Sequence, residues 1–314
     1  MTLSSSGNIK WTRKLYLKQS FPDNYVDDSF LTQLQRNVNV PVHTFSEMVK
    51  DSGRIVQQLS VILAFIACFL LILENVISVN SLIKISNVST ILAYATWVLY
   101  MRNEIKKGSK DRENYLRKRG RETIIHGLIF TLLLMLFSPI LKTLTEDTSS
   151  DTIWAISSLL FLLCWIASDY SRKDLPTGAL IKNYTSPFSL NCAMLGSIAL
   201  ASRLPTVTHV FGFLSLAVNV FAFFPILSRI IRRLAGVSGD IFLTIFTVIF
   251  TFSIWWNVFS PVAFIFFFAV LFINLFCPLW LVRLQKYKKY FKHVFFVYLF
   301  LFFVVKFMVL GMRL

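Results

Sequence analysis

The chain has 314 residues, of which 55% are hydrophobic, and its 32 lysines and arginines outnumber 16 aspartates and glutamates, for a net charge of +16. A mean hydropathy of +0.63 is too high for a soluble domain of this length, which excludes an ordinary water-soluble enzyme. The basic balance does not indicate nucleic-acid binding, because the sequence shows no aromatic-basic platform and no soluble reading domain.

The first 58 residues form the longest polar stretch, and they are too few for an independent catalytic domain with its own core. We therefore expect a cytosolic N-terminal segment with short amphipathic helices over 1–58 and a transmembrane helical bundle over 59–314. Thr44 and Glu47 have the spacing of a capping box, which predicts a helix that begins at Phe45. No removable signal peptide is expected, since the N-terminus lacks a short apolar stretch and a cleavage site.

Nine mostly apolar segments of 17 to 23 residues follow one another along the rest of the chain. A helix rises 1.5 Å per residue and the hydrocarbon core is about 30 Å thick, so each segment is near the length needed to cross it. The sequence predicts an all-α, polytopic transmembrane helix bundle with eight to nine spans, since the ninth need not be a complete crossing. The predicted spans are Leu59–Val79, Leu82–Met101, Thr123–Thr143, Thr152–Ser168, Phe188–Leu204, Thr206–Ser228, Ile241–Val258, Pro261–Val282 and His293–Met312.

The basic residues lie almost entirely on one side of these predicted spans. Of the 32 lysines and arginines, 27 fall before the first span and in every second gap after it. The positive-inside bias therefore places the N-terminus and four basic loops in the cytosol. The largest of these loops, Arg102–Glu122, holds nine basic residues and is interpreted as an orientation signal. Docking of anionic lipid or of a partner is the alternative for this loop.

Small and polar residues predict how the helices pack. In the fifth predicted span, Ala193, Ser197 and Ala201 repeat every four residues and form a smooth stripe that allows close approach of another helix. This span is therefore expected to be buried in the bundle. Asparagines inside the spans are expected to form hydrogen bonds between helices, and they are Asn191, Asn219, Asn257 and Asn274.

The sequence contains none of the common motifs of a self-sufficient enzyme. It has no GxxxxGK[ST] phosphate loop, no GxGxxG, no HExxH, no GxSxG and no DxD. The cysteines and histidines are isolated, so neither a metal nor a cofactor is predicted. Two classes of function remain open alternatives. A lipid scramblase or small transporter would need a polar groove, and a membrane-embedded transferase would need Asp169 as its acid or base.

Three blocks of sequence carry a family resemblance. The first is LYLKQSFPDNYVDDSFL at Leu15–Leu31, the second is SLN at Ser189–Asn191 leading into LASRLP at Leu200–Pro205, and the third is FAFFP at Phe221–Pro225. In these blocks the chain resembles the PIG-C family, a component of the phosphatidylinositol N-acetylglucosaminyltransferase complex. The resemblance runs in order over nearly the whole chain.

The resemblance implies a multi-pass membrane protein of the endoplasmic reticulum that acts in the first step of GPI-anchor biosynthesis. In that step the complex transfers N-acetylglucosamine from UDP-GlcNAc to phosphatidylinositol on the cytosolic leaflet. The glycosyltransferase fold belongs to a PIG-A type subunit, and PIG-H, PIG-P, PIG-Q and PIG-Y types are further partners. The chain is therefore expected to be a non-catalytic scaffold that also contacts membrane lipid, with no cofactor and no nucleic-acid partner.

Two sets of residues are candidates for binding. Arginine can donate two hydrogen bonds to a phosphate, so groups that follow the fourth and sixth spans are candidates for holding the phosphatidylinositol headgroup. These are Asp169, Tyr170, Arg172, Lys173, Arg229, Arg232 and Arg233. The alternative is that the last three form an ordinary positive-inside anchor. A partner-docking site with aromatic anchors and acidic acceptors is expected at Phe21, Pro22, Asp23, Asn24, Tyr25 and Asp27.

Overall fold

The computed structural model describes residues 18, 25, 44–106, 110–143, 148–170 and 186–285. Every regular element in these ranges is a helix, which confirms the predicted all-α class. The helices are α1 (Phe45–Leu73), α2 (Val79–Lys106), α3 (Lys110–Thr143), α4 (Ser150–Ala167), α5 (Pro187–Ala201), α6 (Val207–Val218), α7 (Phe224–Val258), α8 (Ser260–Leu271) and α9 (Cys277–Gln285). Two π-helical turns, Asn219–Phe223 and Phe272–Phe276, join α6 to α7 and α8 to α9.

Five helical stretches are long and apolar enough to cross a membrane. They are Phe45–Leu73, Val79–Tyr100, Ser150–Ala167, Val207–Val258 and Ser260–Leu284. Two shorter apolar helices, Gly127–Thr143 and Pro187–Ala201, coincide with the third and fifth predicted spans. The ninth predicted span lies outside the described residues. The sequence and the structure therefore both indicate a helical membrane protein.

Helix α1 begins at the predicted capping box, which the structure confirms. Thr44 Oγ1 accepts a hydrogen bond from Glu47 N at 3.4 Å, and Thr44 N donates to Glu47 Oε2 at 3.2 Å. The helix then continues without a break into the first apolar segment and ends at Leu73. Asn75, at φ +58°, turns the chain there, because asparagine tolerates the left-handed region better than most residues.

The bundle is organised around α1, whose Phe65 is almost completely buried. Its ring centroid lies 5.9 Å from that of Phe161 on α4, 4.5 Å from that of Phe213 on α6 and 5.1 Å from that of Phe221 in the first π-helical turn. Aromatic pairs at these separations contribute about 0.5–1.5 kcal/mol each beyond their area burial. Phe65 therefore anchors α4, α6 and the first π-helical turn to α1.

The region Arg102–Glu122, expected to be a loop, is mostly helical. Helix α2 extends to Lys106 and α3 begins at Lys110, beyond the ends of the apolar segments. Lysine, arginine and glutamate are good helix formers, so the charged sequence continues the helices of the neighbouring spans. The cation-rich part of the chain is therefore carried largely on helix extensions.

Helix α7 contains a break at Gly236, where φ is +64° and ψ is −145°. Before the break, Phe221 contacts Phe65, and Phe213, which is earlier in the chain, contacts Phe69 further along α1. This part of the chain therefore runs antiparallel to α1. After the break, Thr251 Oγ1 donates to Ser60 O at 3.0 Å.

After the break, the residue numbers of the contacting positions increase together on α1 and α7. Asp240 pairs with Arg54, and Trp255 Nε1 donates to Leu63 O at 3.1 Å. Residues 237–258 therefore run parallel to α1, and the chain reverses direction at Gly236. The turn is tight, because a Cβ added at Gly239 would lie 2.8 Å from Ala235 Cβ.

Small residues and asparagines make the closest contacts between helices. Ala193, Ser197 and Ala201 on α5 are all fully buried. The Asn219 side chain donates to Ser86 O at 3.2 Å and accepts from Thr90 Oγ1 at 2.9 Å, and the Asn274 side chain accepts from Ser52 Oγ at 3.1 Å. These contacts confirm interhelical bonding by Asn219 and Asn274. Asn257 instead donates to Ser253 O of its own helix.

Replacing Gly236 by alanine is expected to lower the free energy of unfolding by about 1–3 kcal/mol, because an L-residue is strained at a positive φ. The space around Gly236 is open, so the loss would come from the backbone alone. Thermal unfolding of the purified full chain in one detergent measures it. Gly127→Ala is the matched control. Gly127 also has open space but lies within helix α3, where alanine is favoured by about 0.5–1 kcal/mol. Equal unfolding temperatures for the two variants would contradict the assignment of strain to Gly236.

Candidate functional site

A polar pocket opens at the end of the bundle where α1 starts, α4 ends and α5 starts. It has a volume of about 80 Å³, which is room for several water molecules or one small polar group. Its lining residues are Arg54, Gln57, Gln58, Cys164, Ser168, Asp169, Tyr170, Ser186, Ser189, Leu190, Ala193, Phe221, Phe224, Pro225, Ser228, Arg229 and Arg232. Three cations and one carboxylate are among them, so the lining is cationic.

The arginines of the pocket are held by carboxylates and by backbone. Arg54, only 7% exposed, donates from Nη1 to Tyr170 O at 3.0 Å, and its Nε lies 3.5 Å from Asp240 Oδ2. Arg232 Nη2 donates to the other oxygen of Asp240 at 2.8 Å. Arg229 Nη2 lies 4.0 Å from Asp169 Oδ2. Asp240 thus fixes two guanidinium groups at once, one from α1 and one from α7.

Hydroxyl groups form a second wall of the pocket. Ser189 Oγ and Ser168 Oγ each donate to Cys164 O, at 2.8 Å and 2.7 Å, and their own oxygens lie 2.9 Å apart. The Tyr170 hydroxyl donates to Trp165 O. Burial raises the pKa of the Tyr170 phenol above its ordinary value, so this group stays neutral at physiological pH.

Two donors in the pocket have no acceptor within the part of the chain that the structure describes. Gln57 is 4% exposed and its Nε2 makes no hydrogen bond there, and the same holds for Arg232 Nε, which is also buried. Buried donors are nearly always paired in folded proteins. The lining therefore presents two donors that a ligand or water inside the pocket can satisfy.

A larger cleft of about 790 Å³ lies on the other side of Arg54, Asp240 and Arg232. Arg54 and Arg232 line both cavities, and Asp240 lines the cleft. Apolar side chains of Val49, Ile241 and others cover much of the rest of the cleft. The Arg54–Asp240–Arg232 cluster is therefore a wall between a polar pocket and a more apolar cleft.

The predicted headgroup residues divide into three groups. Asp169, Tyr170, Arg229 and Arg232 all line the pocket. Arg233 lies elsewhere, because its Nη1 donates to the Tyr100 hydroxyl at 2.6 Å and its guanidinium stands over the Tyr100 ring. Arg172 and Lys173 lie outside the described residues. Of the predicted docking residues, Tyr25 is 38% exposed, and Phe21, Pro22, Asp23, Asn24 and Asp27 lie outside the described part.

Sequence reasoning missed Arg54, Gln57, Gln58 and Asp240. The first three were counted with the extramembrane segment, although their spacing of three and four residues places them on one face of a helix. That polar stripe, leading directly into an apolar span, is the signal that could have identified them. No group of three or more His, Cys, Asp or Glu side chains suited to a metal occurs within the described ranges.

The fold and the pocket define an all-helical membrane protein with an arginine-lined polar site at one end of its bundle. The family model GPI2, described as phosphatidylinositol N-acetylglucosaminyltransferase, matches residues 11–308. The chain belongs to this family, which confirms the resemblance to PIG-C.

Similar proteins span most of the chain. The GPI2 subunit of Schizosaccharomyces pombe phosphatidylinositol N-acetylglucosaminyltransferase is 34% identical over 279 residues, which cover 88% of this chain and 83% of that protein. The corresponding C-type subunit of the Homo sapiens transferase is 31% identical over 290 residues, or 91% and 92% of the two chains. The Saccharomyces cerevisiae GPI2 subunit is 25% identical over 239 residues, or 74% and 77%. No solved structure matches the chain.

Replacing Asp240 by asparagine is expected to lower the free energy of unfolding by about 3 kcal/mol, because it leaves Arg54 and Arg232 poorly paired beside the pocket. Denaturant or thermal unfolding in detergent measures the loss. Asp51→Asn is the control, since Asp51 lies 3.9 Å from Arg54 Nη2 but is 45% exposed. An exposed pair contributes about 1 kcal/mol or less. A loss as large for Asp51→Asn as for Asp240→Asn would show that Asp240 has no special role.

Proposed function

We propose that the chain is a membrane subunit of a phosphatidylinositol N-acetylglucosaminyltransferase complex in the first step of GPI-anchor biosynthesis, in the endoplasmic reticulum membrane. The observation that carries this proposal is the match of the family model to residues 11–308. The names of the relatives describe subunits of that transferase, and the aligned region includes most of each relative. A PIG-A type subunit would supply the catalytic fold, with PIG-H, PIG-P, PIG-Q and PIG-Y types as further partners.

The chemistry of the pocket supports binding rather than catalysis. Its one lining carboxylate, Asp169, is paired with Arg229. Its phenol, Tyr170, is neutral and donates to a backbone carbonyl. A general base must reach the proton that it removes and be free to accept it. The Tyr170 hydroxyl is already engaged with a backbone carbonyl and Asp169 faces a cation, so we assign proton transfer and sugar transfer to the partner subunit.

The reversal at Gly236 supports eight crossings over the described ranges. It divides the 52-residue stretch Val207–Val258 into two halves of opposite direction. With the two shorter apolar helices and the four other long stretches, the helices then alternate in direction along the chain. Charges agree with this topology, because Arg54, Arg229 and Arg232 meet at one end of the bundle. The positive-inside bias assigns that end, and the N-terminus, to the cytosol.

Cysteine labelling tests this topology. In sealed microsomes, a membrane-impermeant maleimide is expected to label the full chain carrying Arg121→Cys, because residue 121 is exposed on the basic extension of α3. Glu74→Cys, at the exposed end of α1, is expected to react only after the membrane is permeabilised. The unsubstituted chain is the control, since its four cysteines lie within helices and are buried or half-buried. The reverse labelling pattern would overturn the assigned orientation.

Co-purification tests the subunit role and the docking segment together. We propose that Phe21, Pro22, Asp23, Asn24, Tyr25 and Asp27 contact the catalytic partner. The double variant Asp23→Ala, Tyr25→Ala is expected to retain roughly a tenth of the co-purifying catalytic subunit and of the sugar transfer, because aromatic anchors dominate interfaces. The gently solubilised, tagged chain is captured, and the transfer of N-acetylglucosamine from UDP-GlcNAc to phosphatidylinositol is measured on the captured material.

Lys18→Ala is the control, because Lys18 is exposed, lies in the same segment and precedes the docking residues. Unchanged capture by the double variant would remove the docking assignment. Capture of no transferase activity by the unsubstituted chain would overturn the subunit role. Sugar transfer by the isolated chain without companions would overturn the assignment of catalysis to a partner.

A further inference from the structure

The unpaired donors of the pocket indicate the kind of ligand that it takes. Gln57 Nε2 and Arg232 Nε come from different helices, line the same pocket and have no acceptor within the described ranges. Gln57 is also only 4% exposed, so water from the bulk does not freely satisfy it. A buried donor without an acceptor is unfavourable in a folded protein. A ligand rich in acceptor oxygens would satisfy both donors at once.

We infer that this pocket binds the phosphorylated polyol headgroup of a lipid, with the phosphodiester oxygens at Arg229 and Arg232 and the ring hydroxyls at Gln57 and Ser189. The inference rests on the proposed function, because phosphatidylinositol is the lipid acceptor of that reaction. It adds to the proposed function a location for the acceptor, in this chain rather than in the catalytic partner.

The charge of the pocket matches a phosphodiester. Arg54, Arg229 and Arg232 face two carboxylates, Asp169 and Asp240, so the cluster keeps one positive charge in excess. Asp51 also approaches Arg54, at 3.9 Å, but it does not line the pocket. A phosphodiester carries a single negative charge and balances this excess. The guanidinium groups can each donate more than one hydrogen bond to its oxygens.

The hydroxyl wall matches a polyol. Ser189 Oγ donates its own proton to Cys164 O, so its lone pairs remain to accept from a ligand hydroxyl. The Gln57 amide donates, and a ring hydroxyl both accepts and donates. A serine headgroup fits less well, because its ammonium would stand beside the arginines. A sugar nucleotide carries two phosphates, whose negative charges exceed the single positive charge in excess at the pocket.

Binding of phosphatidylinositol to the purified full chain in nanodiscs tests the inference without any transferase activity. Gln57→Leu is expected to weaken binding about tenfold, and Arg229→Gln about 10- to 100-fold, because the first removes a neutral donor and the second a charged one. Gln57→Leu is also expected to unfold at the same or a higher temperature than the unsubstituted chain, because its amide donor has no partner among the described residues. This combination separates a ligand-binding glutamine from a structural one.

Both control variants lie on α7. Arg233 lies four residues beyond Arg229 but donates to Tyr100, so Arg233→Gln is the control for Arg229→Gln. Asn257→Leu removes an exposed amide on α7 and is the control for Gln57→Leu. Both are expected to leave binding unchanged. Soluble glycerophosphoinositol is expected to compete with the lipid but to bind more weakly than it. Failure to compete, or an affinity above that of the lipid, would overturn the assignment to a lipid headgroup.

Two further outcomes would also overturn the inference. The first is equal affinity for phosphatidylserine and phosphatidylinositol with no effect of Gln57→Leu, which would mean general attraction of anionic lipid. The second is displacement of the lipid by UDP-GlcNAc, which would mean a sugar-nucleotide site. Capture of the catalytic partner is measured separately, so a failure here leaves the subunit role standing, and a failure of capture leaves the lipid result interpretable.

Discussion

The shared carboxylate of Asp240 is the interaction on which the geometry of this protein depends. It connects Arg54 on α1 with Arg232 on the first half of α7, and it lies itself just beyond the reversal at Gly236. Desolvating three charges opposes folding, so such a cluster does not by itself make the protein more stable than an apolar one. The cluster instead determines where these groups lie. The turn at Gly236 is held closed, and two guanidinium groups are fixed where the polar pocket and the apolar cleft meet.

The apolar helices could be predicted because hydrophobicity over 20 residues is a local property of the chain. Their ends could not, because the apolar stretch is shorter than the helix that carries it. Helix α1 begins at Phe45 rather than near Leu59, and only Gly236 interrupts the helical backbone between the predicted sixth and seventh spans. In each case charged helix formers continue the helix past the membrane-like segment. The residues so added, Arg54 and Asp240 among them, build the pocket.

The pocket itself depends on contacts that no local pattern contains. Arg54 and Asp240 meet across 186 positions of sequence, so neither could be assigned a role from its neighbours. Arg229, Arg232 and Arg233 have spacings that place all three near one face of a helix. Arg233 nevertheless donates a hydrogen bond to Tyr100 on α2, outside the pocket. The neighbouring helix, rather than the spacing, therefore separates Arg233 from the two arginines of the pocket.

The same ion pairs that build the pocket also limit what it can do. The one carboxylate that lines the pocket, Asp169, lies 4.0 Å from Arg229 Nη2, and the other, Asp240, is held between Arg54 and Arg232. What remains is an excess of donors and of positive charge, which is suited to holding an anion in one orientation. Orientation contributes to catalysis when the reactive group belongs to another protein, because fixing the acceptor removes motions that the transition state cannot retain. For a lipid that already diffuses in the plane of the membrane, the motions left to remove are the tilt and rotation of its headgroup. The proposed headgroup site, with donors on two helices, would constrain both, and this would give a subunit that leaves the chemistry to a partner a physical role in a transfer reaction.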